Sequence, residues 1–299
     1  MQNKKILIIG AGVIGSIFAV KLSEAGHNVS LFARSKRLEE LTVKGLLYKQ
    51  NGLTKKANVN IISQLDDNEH FDFIFVTVRY NQIESVLEQL KNNVNSNIVT
   101  MVNNINGYDN FEKTVGKGKI IPAFPGAGGR IENGILTYKL TPKTIQSTTI
   151  GEINGEKTER IISLQKLIKS AKIPTLISKN MDLWQKSHLA LVTALANGIY
   201  YDGGDNYTTA KNKKALHLIS VTLKSNFKKL KNSGVKIEPF KLNIIRFCPI
   251  WIMDLTISFI FKTEFAEICI SSHAINAKEE MQILDRDFKK IFRTIKREI

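Results

Sequence analysis

A doubly wound parallel α/β sheet in the first half and an all-helical second half are what this chain predicts, on three observations. Residues 4–34 read as strand, glycine turn, helix and second strand. Strand and helix patterns then alternate to about residue 178, the signature of a parallel sheet. Past that point long apolar helical runs take over and strand signals fade.

The apolar run 6–9 is the first strand, and it leads into Gly10-Ala11-Gly12-Val13-Ile14-Gly15. A glycine turn between a strand and a helix aims the helix N-terminus, with its free N–H groups and positive dipole end, at whatever sits above it. Gly10 makes the turn, Gly12 lets backbone approach a pyrophosphate, and Gly15 lets the helix pack closely on the strand. This is the Rossmann-type arrangement, and with a second strand in range it is a specific signal. Residues 73–78 form a third strand, buried and β-branched, and 82–90 carry helical spacing. Residues 98–102 form another strand, followed by the polar turn 103–107, and a short strand begins at 120–121. Residues 125–129 (Pro-Gly-Ala-Gly-Gly) read as a loop, 135–138 and 146–150 as a paired β segment, and 156–171 as a helix.

The end of the second strand selects the dinucleotide. An NAD site places an Asp or Glu there, about 20 residues past the glycines, to hold the ribose 2′-hydroxyl. This chain has Ala33-Arg34-Ser35-Lys36-Arg37, with no acid before Glu39. A planar guanidinium with fixed charge suits a 2′-phosphate, so Arg34 points to NADP. The alternative is that Arg34 and Arg37 are solvated charges flanking a helix start.

Composition narrows the class. The 299 residues accommodate two domains, 1–178 for NADP and 179–299 for substrate and catalysis, and 43% hydrophobic content supplies a core. The two cysteines, Cys248 and Cys269, form no CxxC, which fits a reduced cytoplasmic setting and no metal site. Lys4-Lys5 before an apolar run resembles a signal-peptide start, but the glycine turn and charged helix that follow argue against one. The apolar run 247–261 is too short to span a membrane and reads as a buried helix, so no membrane is expected. The net charge of +16 raises nucleic acid as a partner. Residues 211–246 hold ten Lys or Arg against one acid, Glu238, yet no aromatic residues interleave regularly and no nucleic-acid motif appears. Solvated helix faces account for the charge, and no nucleic-acid partner is expected.

The second half opens on a helix from 181 to about 200, with Leu183, Ala190, Ala194 and Asn197 near one side. Lys186 lies one turn before Ala190 on that face. A lysine on an apolar face needs a partner or a task, or else it snorkels its amine to solvent beside Trp184. His188 points elsewhere and reads as structural, although imidazole titration keeps an acid–base role open.

Taken together, GAGVIG, Arg34, Val76-Thr77-Val78-Arg79, the Asn-rich turn 103–107, Trp184-Gln185-Lys186 and Lys262-Thr263-Glu264 come in the order of the ketopantoate reductase (2-dehydropantoate 2-reductase) family, which the chain resembles over nearly all its length. The resemblance implies an NADPH-dependent reductase of a 2-oxo acid in pantothenate biosynthesis. It implies Lys186 as proton donor and Glu264 as a substrate contact. On the cofactor side it implies Asn104 near the nicotinamide and Arg79 near the adenosine phosphate, beside the residues 10–15 and Arg34 already derived.

The substrate side departs from the family. Asparagines expected one and two turns after the lysine are Ala190 and Ala194, Ile105 replaces a glycine, and Cys248-Pro249-Ile250-Trp251 lacks the expected serine. Thr193 and Asn197 share the Lys186 face and are candidates to substitute. Two other readings stand beside pantoate chemistry: reduction of a different carbonyl compound, and a non-catalytic NADP-binding sensor. The partner expected is a small 2-oxo acid, for a monomer or homodimer.

Overall fold

The computed structural model describes residues 3–295. The tail of the expected second half, 296–299, lies outside the described residues. The fold is α/β, with a parallel-rich N-terminal sheet and a helical C-terminal part. The chain divides into two compact units: one runs to Val102 and resumes over Gly107–Met181, and the other joins Asn103–Asn106 to the chain from Asp182 onward.

The first unit is built on an eight-stranded sheet. In chain order its elements begin β1 (Lys5–Ile9), α1 (Val13–Glu24), β2 (Asn28–Phe32), α2 (Ser35–Lys44), β3 (Leu47–Gln50), β4 (Leu53–Lys56) and β5 (Asn60–Ile62). They continue with β6 (Phe73–Val76), α3 (Ile83–Gln89), β7 (Ile98–Thr100), α4 (Asp109–Val115) and β8 (Ile120–Phe124). The last are β9 (Ala127–Glu132), β10 (Ile135–Leu140), β11 (Thr148–Ile150), α5 (Glu159–Ser170) and β12 (Thr175–Ile177). The main sheet has the order β12-β11-β8-β7-β6-β1-β2-β5, parallel throughout except where β11 meets β8. Alternate residues of β1 serve opposite faces. Ile6 and Ile8 join a core with Phe18, Phe75, Ile161 and Leu164, which α1 and α5 cover. Leu7 and Ile9 join a second core with Ile83, Val86, Leu87 and Phe111, which α3 and α4 cover. Burial on both faces is why these strands read as unbroken apolar runs.

Three sequence expectations are corrected here. Residues 127–129 are strand, not loop. A Cβ on Gly129 would come 2.5 Å from the Thr137 carbonyl oxygen and 3.1 Å from Val13, so small residues let β9 lie against the start of α1. Residues 135–138 and 146–150 do not pair with each other. β10 pairs with β9 and β3 in a separate sheet of order β4-β3-β10-β9, while β11 joins β8 and β12 in the main sheet. Both hairpins of the small sheet turn on Asn-Gly, at Asn51-Gly52 and Asn133-Gly134, with positive φ at all four residues. That is the preferred two-residue hairpin turn.

The second unit is helical: α6 (Met181–Asp202), α7 (Asn206–Thr209), α8 (Lys213–Asn232), a 3-10 turn at Phe240–Arg246, α9 (Ile250–Phe261), α10 (Glu264–Ala266), α11 (Ser272–Asn276) and α12 (Lys278–Ile295). Asn212 caps α8 by accepting from the N–H groups of Lys214 and Ala215, and Leu216, Ile219, Leu223, Phe227 and Leu230 form its buried stripe. A Cβ on Gly198 would meet the Ile219 side chain at 2.1 Å, so glycine permits the close crossing of α6 and α8. The third correction concerns α9. It is not a buried helix: only Met253, Ile257 and Phe261 are buried, while Trp251, Leu255 and Phe259 face solvent. A run that is apolar on every side carries no periodicity from which its outer face could be read.

Candidate functional site

The glycine turn is held from below by a residue that motif reading passed over. Gly10 leaves β1 at a φ of 110°, a conformation that favours glycine. Thr77, next after β6, shares its hydroxyl between the carbonyls of Ile9 (3.1 Å) and Gly10 (2.9 Å). Its position follows from strand register: Ile9 and Val76 are partners on adjacent strands, so Thr77 follows β6 where Gly10 follows β1. A Cβ on Gly15 would fall 1.9 Å from the Gly10 carbonyl oxygen and 2.6 Å from the Thr77 hydroxyl. Gly12, by contrast, is exposed, and a Cβ there would meet nothing within 4 Å.

Gly12 is the N-cap of α1, which has no side-chain cap and no acid in its first turn. The first N–H groups of a helix have no intrahelical partner, and the dipole adds positive potential where they point. Open backbone above an uncapped helix start fits the pyrophosphate of a dinucleotide. Within this turn Ala11 is buried, and Val13 and Ile14 are half-buried. The Ala11 carbonyl accepts from Arg37 Nε (3.1 Å) and from the Ser16 hydroxyl (3.4 Å).

The basic residues at the end of β2 divide the work. Ile9 and Phe32 are register partners, so Gly10 and Arg34 leave the sheet at the same edge. Arg34 is exposed, and its guanidinium makes no hydrogen bond or ion pair among the described residues. Arg37 is built into the turn: Nε is on Ala11, Nη1 pairs with Glu40, and Nη2 is buried with no partner among the described residues. Arg79, exposed at the same edge after β6, donates its backbone N–H to Gln82 Oε1 at 3.4 Å.

In the helical unit, Lys186 is half-buried on α6 and its ammonium sits 2.6 Å from Asp182 Oδ2, one turn earlier. The lysine thus has a partner, Asp182. Glu264 is exposed at the start of α10, where Thr263 caps the turn. Asn104 is buried: its backbone N–H donates to Gln185 Oε1 (3.1 Å) and its Oδ1 accepts from Asn106 (3.1 Å). Asn103 reaches Glu280 at 3.4 Å, which ties the same loop to α12. Gln185 and Glu280 were not legible as supports, because 81 and 177 residues separate them from the loop. Thr193 donates its hydroxyl to the Leu189 carbonyl (2.7 Å), and Asn197 donates to Asp285 Oδ1 (3.3 Å). Ala190 and Ala194 are buried, and Ile250, half-buried, begins α9. Among the described residues no three His, Cys, Asp or Glu side chains group to hold a metal, and no helix is long and apolar enough to cross a membrane.

His188 is buried and stacked on Trp184, with ring centroids 5.1 Å apart. Burial, reinforced by repulsion from His273, pushes its pKa down to about 3. Kept neutral in the fold, the ring is not the imidazolium that would serve as a general acid near neutral pH. The unfolded chain takes up this proton near pH 6.5 and the folded chain only near 3, so this contribution to stability is complete above 6.5 and drains away as pH falls through that window. The slope is roughly 1.4 kcal/mol per pH unit. Urea unfolding of wild type and His188→Gln on either side of the imidazole range checks this. Equal acid sensitivity of the two would show that His188 is not the cause.

Comparison with known proteins agrees with this geometry. The family profile described as "Ketopantoate reductase PanE/ApbA" matches residues 6–155, half of the chain. The uncharacterized oxidoreductase YkpB of Bacillus subtilis is 26% identical over 190 residues, 61% of this chain and 60% of that protein. A 2-dehydropantoate 2-reductase of Aquifex aeolicus is 28% identical over 180 residues, 57% of this chain and 54% of that protein. The chain therefore spans less than two thirds of the length of these curated relatives. Among solved structures, D-mandelate dehydrogenase with NADH and anilino(oxo)acetate superposes with a TM-score of 0.69 at 16% identity, covering 98% of this chain and 99% of that one. A 2-dehydropantoate 2-reductase structure from Methylococcus capsulatus gives 0.62 at 16% identity, covering 97% and 95%. With the glycine turn, its Thr77 support and the profile match on one stretch of chain, this protein belongs to the ketopantoate reductase PanE/ApbA family of oxidoreductases.

Proposed function

We propose that this chain is an NADPH-dependent reductase of a 2-oxo acid. The observation that carries the reading is the uncapped start of α1 under an open Gly12, with the unengaged guanidinium of Arg34 at the same sheet edge. Residues 1–178 bind the cofactor, with residues 10–15 on the pyrophosphate and Arg34 on the 2′-phosphate. The buried Nη2 of Arg37 offers a further donor at that edge. Arg79 and Asn104 complete the cofactor set. Residues 179–299 supply the chemistry. NADPH, when bound, provides the hydride. Lys186 Nζ gives a proton to the carbonyl oxygen as the carbon is reduced, and its charge stabilises the developing alkoxide. Asp182 holds the ammonium in place. Glu264 orients the substrate.

Arg34→Ala weakens NADPH binding about ten- to a hundredfold, because a charge-assisted contact is worth about 1.5–3 kcal/mol. NADH binding, which involves no 2′-phosphate, changes little. Parallel titrations check this, and equal losses for both cofactors would remove the NADP assignment.

A second reading, reduction of a different carbonyl compound, is favoured by α6 itself. Ala190 and Ala194 offer no polar group, and the donors of Thr193 and Asn197 are already engaged. Turnover across a panel of 2-oxo acids with ketopantoate included separates the two.

A further inference from the structure

Resting on the reductase reading of Asn104 and Lys186, we propose that Gln185 is a positioning residue: its side-chain oxygen fastens the loop 103–106 to the turn of α6 that carries Lys186, and so fixes where Asn104 stands relative to the proton donor. α6 buries Met181, Trp184, Gln185, His188 and Leu189, the spacing of a helix face that packs inward. Gln185 stands in the middle of that face, 1% exposed. A leucine of similar size would fill the position without the cost of burying an amide. The amide has a task there instead. Asn104 is 3% exposed, and its backbone N–H, a donor that must be paired when buried, finds Gln185 Oε1 at 3.1 Å.

The loop is shaped to be held at this point. Asn103–Asn106 follow β7 in the chain yet belong with the helices from Asp182 onward. Asn104 Oδ1 accepts from the N–H of Asn106 at 3.1 Å, an Asx turn that shapes the loop from within. Asn103 Nδ2 reaches Glu280 Oε1 on α12 at 3.4 Å, a second and longer tie. Lys186 is the next residue after Gln185, a rotation of about 100° and a rise of about 1.5 Å along the helix. Its ammonium is anchored in turn to Asp182 at 2.6 Å. Loop and proton donor are therefore indexed to one stretch of α6. Deprived of its acceptor, the Asn104 N–H is left to seek another partner, and the loop leaves that register. Residues 10–15 and Arg34 hold the phosphate groups of the cofactor, so the loss falls on the reacting end and not on cofactor affinity.

Hydrogen exchange at the Asn104 amide of the full-length protein tests the tie without any ligand, and turnover with NADPH and an oxo acid tests its use. Gln185→Leu removes the acceptor at nearly constant volume, and Gln185→Glu keeps an accepting oxygen at the same reach. The Asn104 amide is expected to exchange about ten- to a hundredfold faster in Gln185→Leu, the scale of an unsatisfied buried donor. The kcat of that variant should fall by about the same factor, because small misplacements of reacting groups cost that much, while the NADPH dissociation constant stays nearly unchanged. Gln185→Glu should bring both exchange and kcat back close to wild type. If Gln185→Leu folds poorly, Asn103→Ala cuts the second tie instead and should move exchange and kcat in the same directions; no change in either overturns the proposal. Unaltered exchange in a folded Gln185→Leu overturns the tie. Faster exchange with unaltered kcat, or a loss of kcat that Gln185→Glu does not restore, overturns the positioning role. Failure of the reductase reading looks different: a wild type with a protected Asn104 amide turns over no oxo acid, or Lys186→Ala is as fast as wild type, and the positioning role falls while the tie remains.

Discussion

Lys186→Ala is expected to lower kcat by about 10²–10⁴-fold while leaving NADPH affinity within about twofold of wild type. The side chain belongs to the helical unit, and its Nζ is held by Asp182, so removing it takes away the proton and the positive charge but no part of the glycine turn. Substrate is first found by following NADPH oxidation across 2-oxo acids, and kcat and the cofactor dissociation constant are then measured separately. A variant that keeps more than half the wild-type rate would show that another group donates the proton. Tight NADPH binding by wild type with no turnover of any oxo acid would favour the sensor reading over the reductase.

Gly15→Ala and Gly12→Ala are expected to fail in opposite ways, although both change one glycine of the same motif. The Gly15 methyl would meet backbone, the Gly10 carbonyl oxygen at 1.9 Å, and also the Thr77 hydroxyl that supports it. Neither moves without displacing α1 from β1, so this variant loses at least about 3 kcal/mol of stability, the upper range for overpacking a core. The Gly12 methyl meets nothing within 4 Å and its φ of −75° suits any residue. That variant keeps its stability within about 1 kcal/mol, and its loss appears as weaker NADPH binding, since the methyl stands where backbone must approach pyrophosphate. Thermal unfolding and NADPH titration of the two variants check both halves. A stable Gly15→Ala would mean that α1 is not locked to the turn as the structure has it, and a Gly12→Ala that binds NADPH normally would move the pyrophosphate elsewhere.

The local chemistry of the first unit was readable in one dimension. Gly10 and Gly15 announce a turn because each carries a backbone or packing requirement that only glycine meets. The runs 6–9 and 73–76 announce central strands because burial on both faces leaves no polar position. Absence of an acid before Glu39 is likewise a property of the string. What tertiary structure decided is what lies opposite what. Residues 135–138 and 146–150 are both strand-like, but strand character does not name a partner, and they went to different sheets. The Asn-Gly pairs at 51–52 and 133–134 are local hairpin signals, each fixing a turn but not the strand that flanks it on the other side. Thr77 under Gly10, Gln185 on Asn104 and Glu280 on Asn103 join residues far apart in sequence. For Lys186 the apolar face was legible and Asp182 stands one turn away, but only rotamers chosen in the packed helix make them a pair. The outer face of α9 was the least legible, because a helix apolar all round is turned by its neighbours, α8 among them, and not by its own sequence.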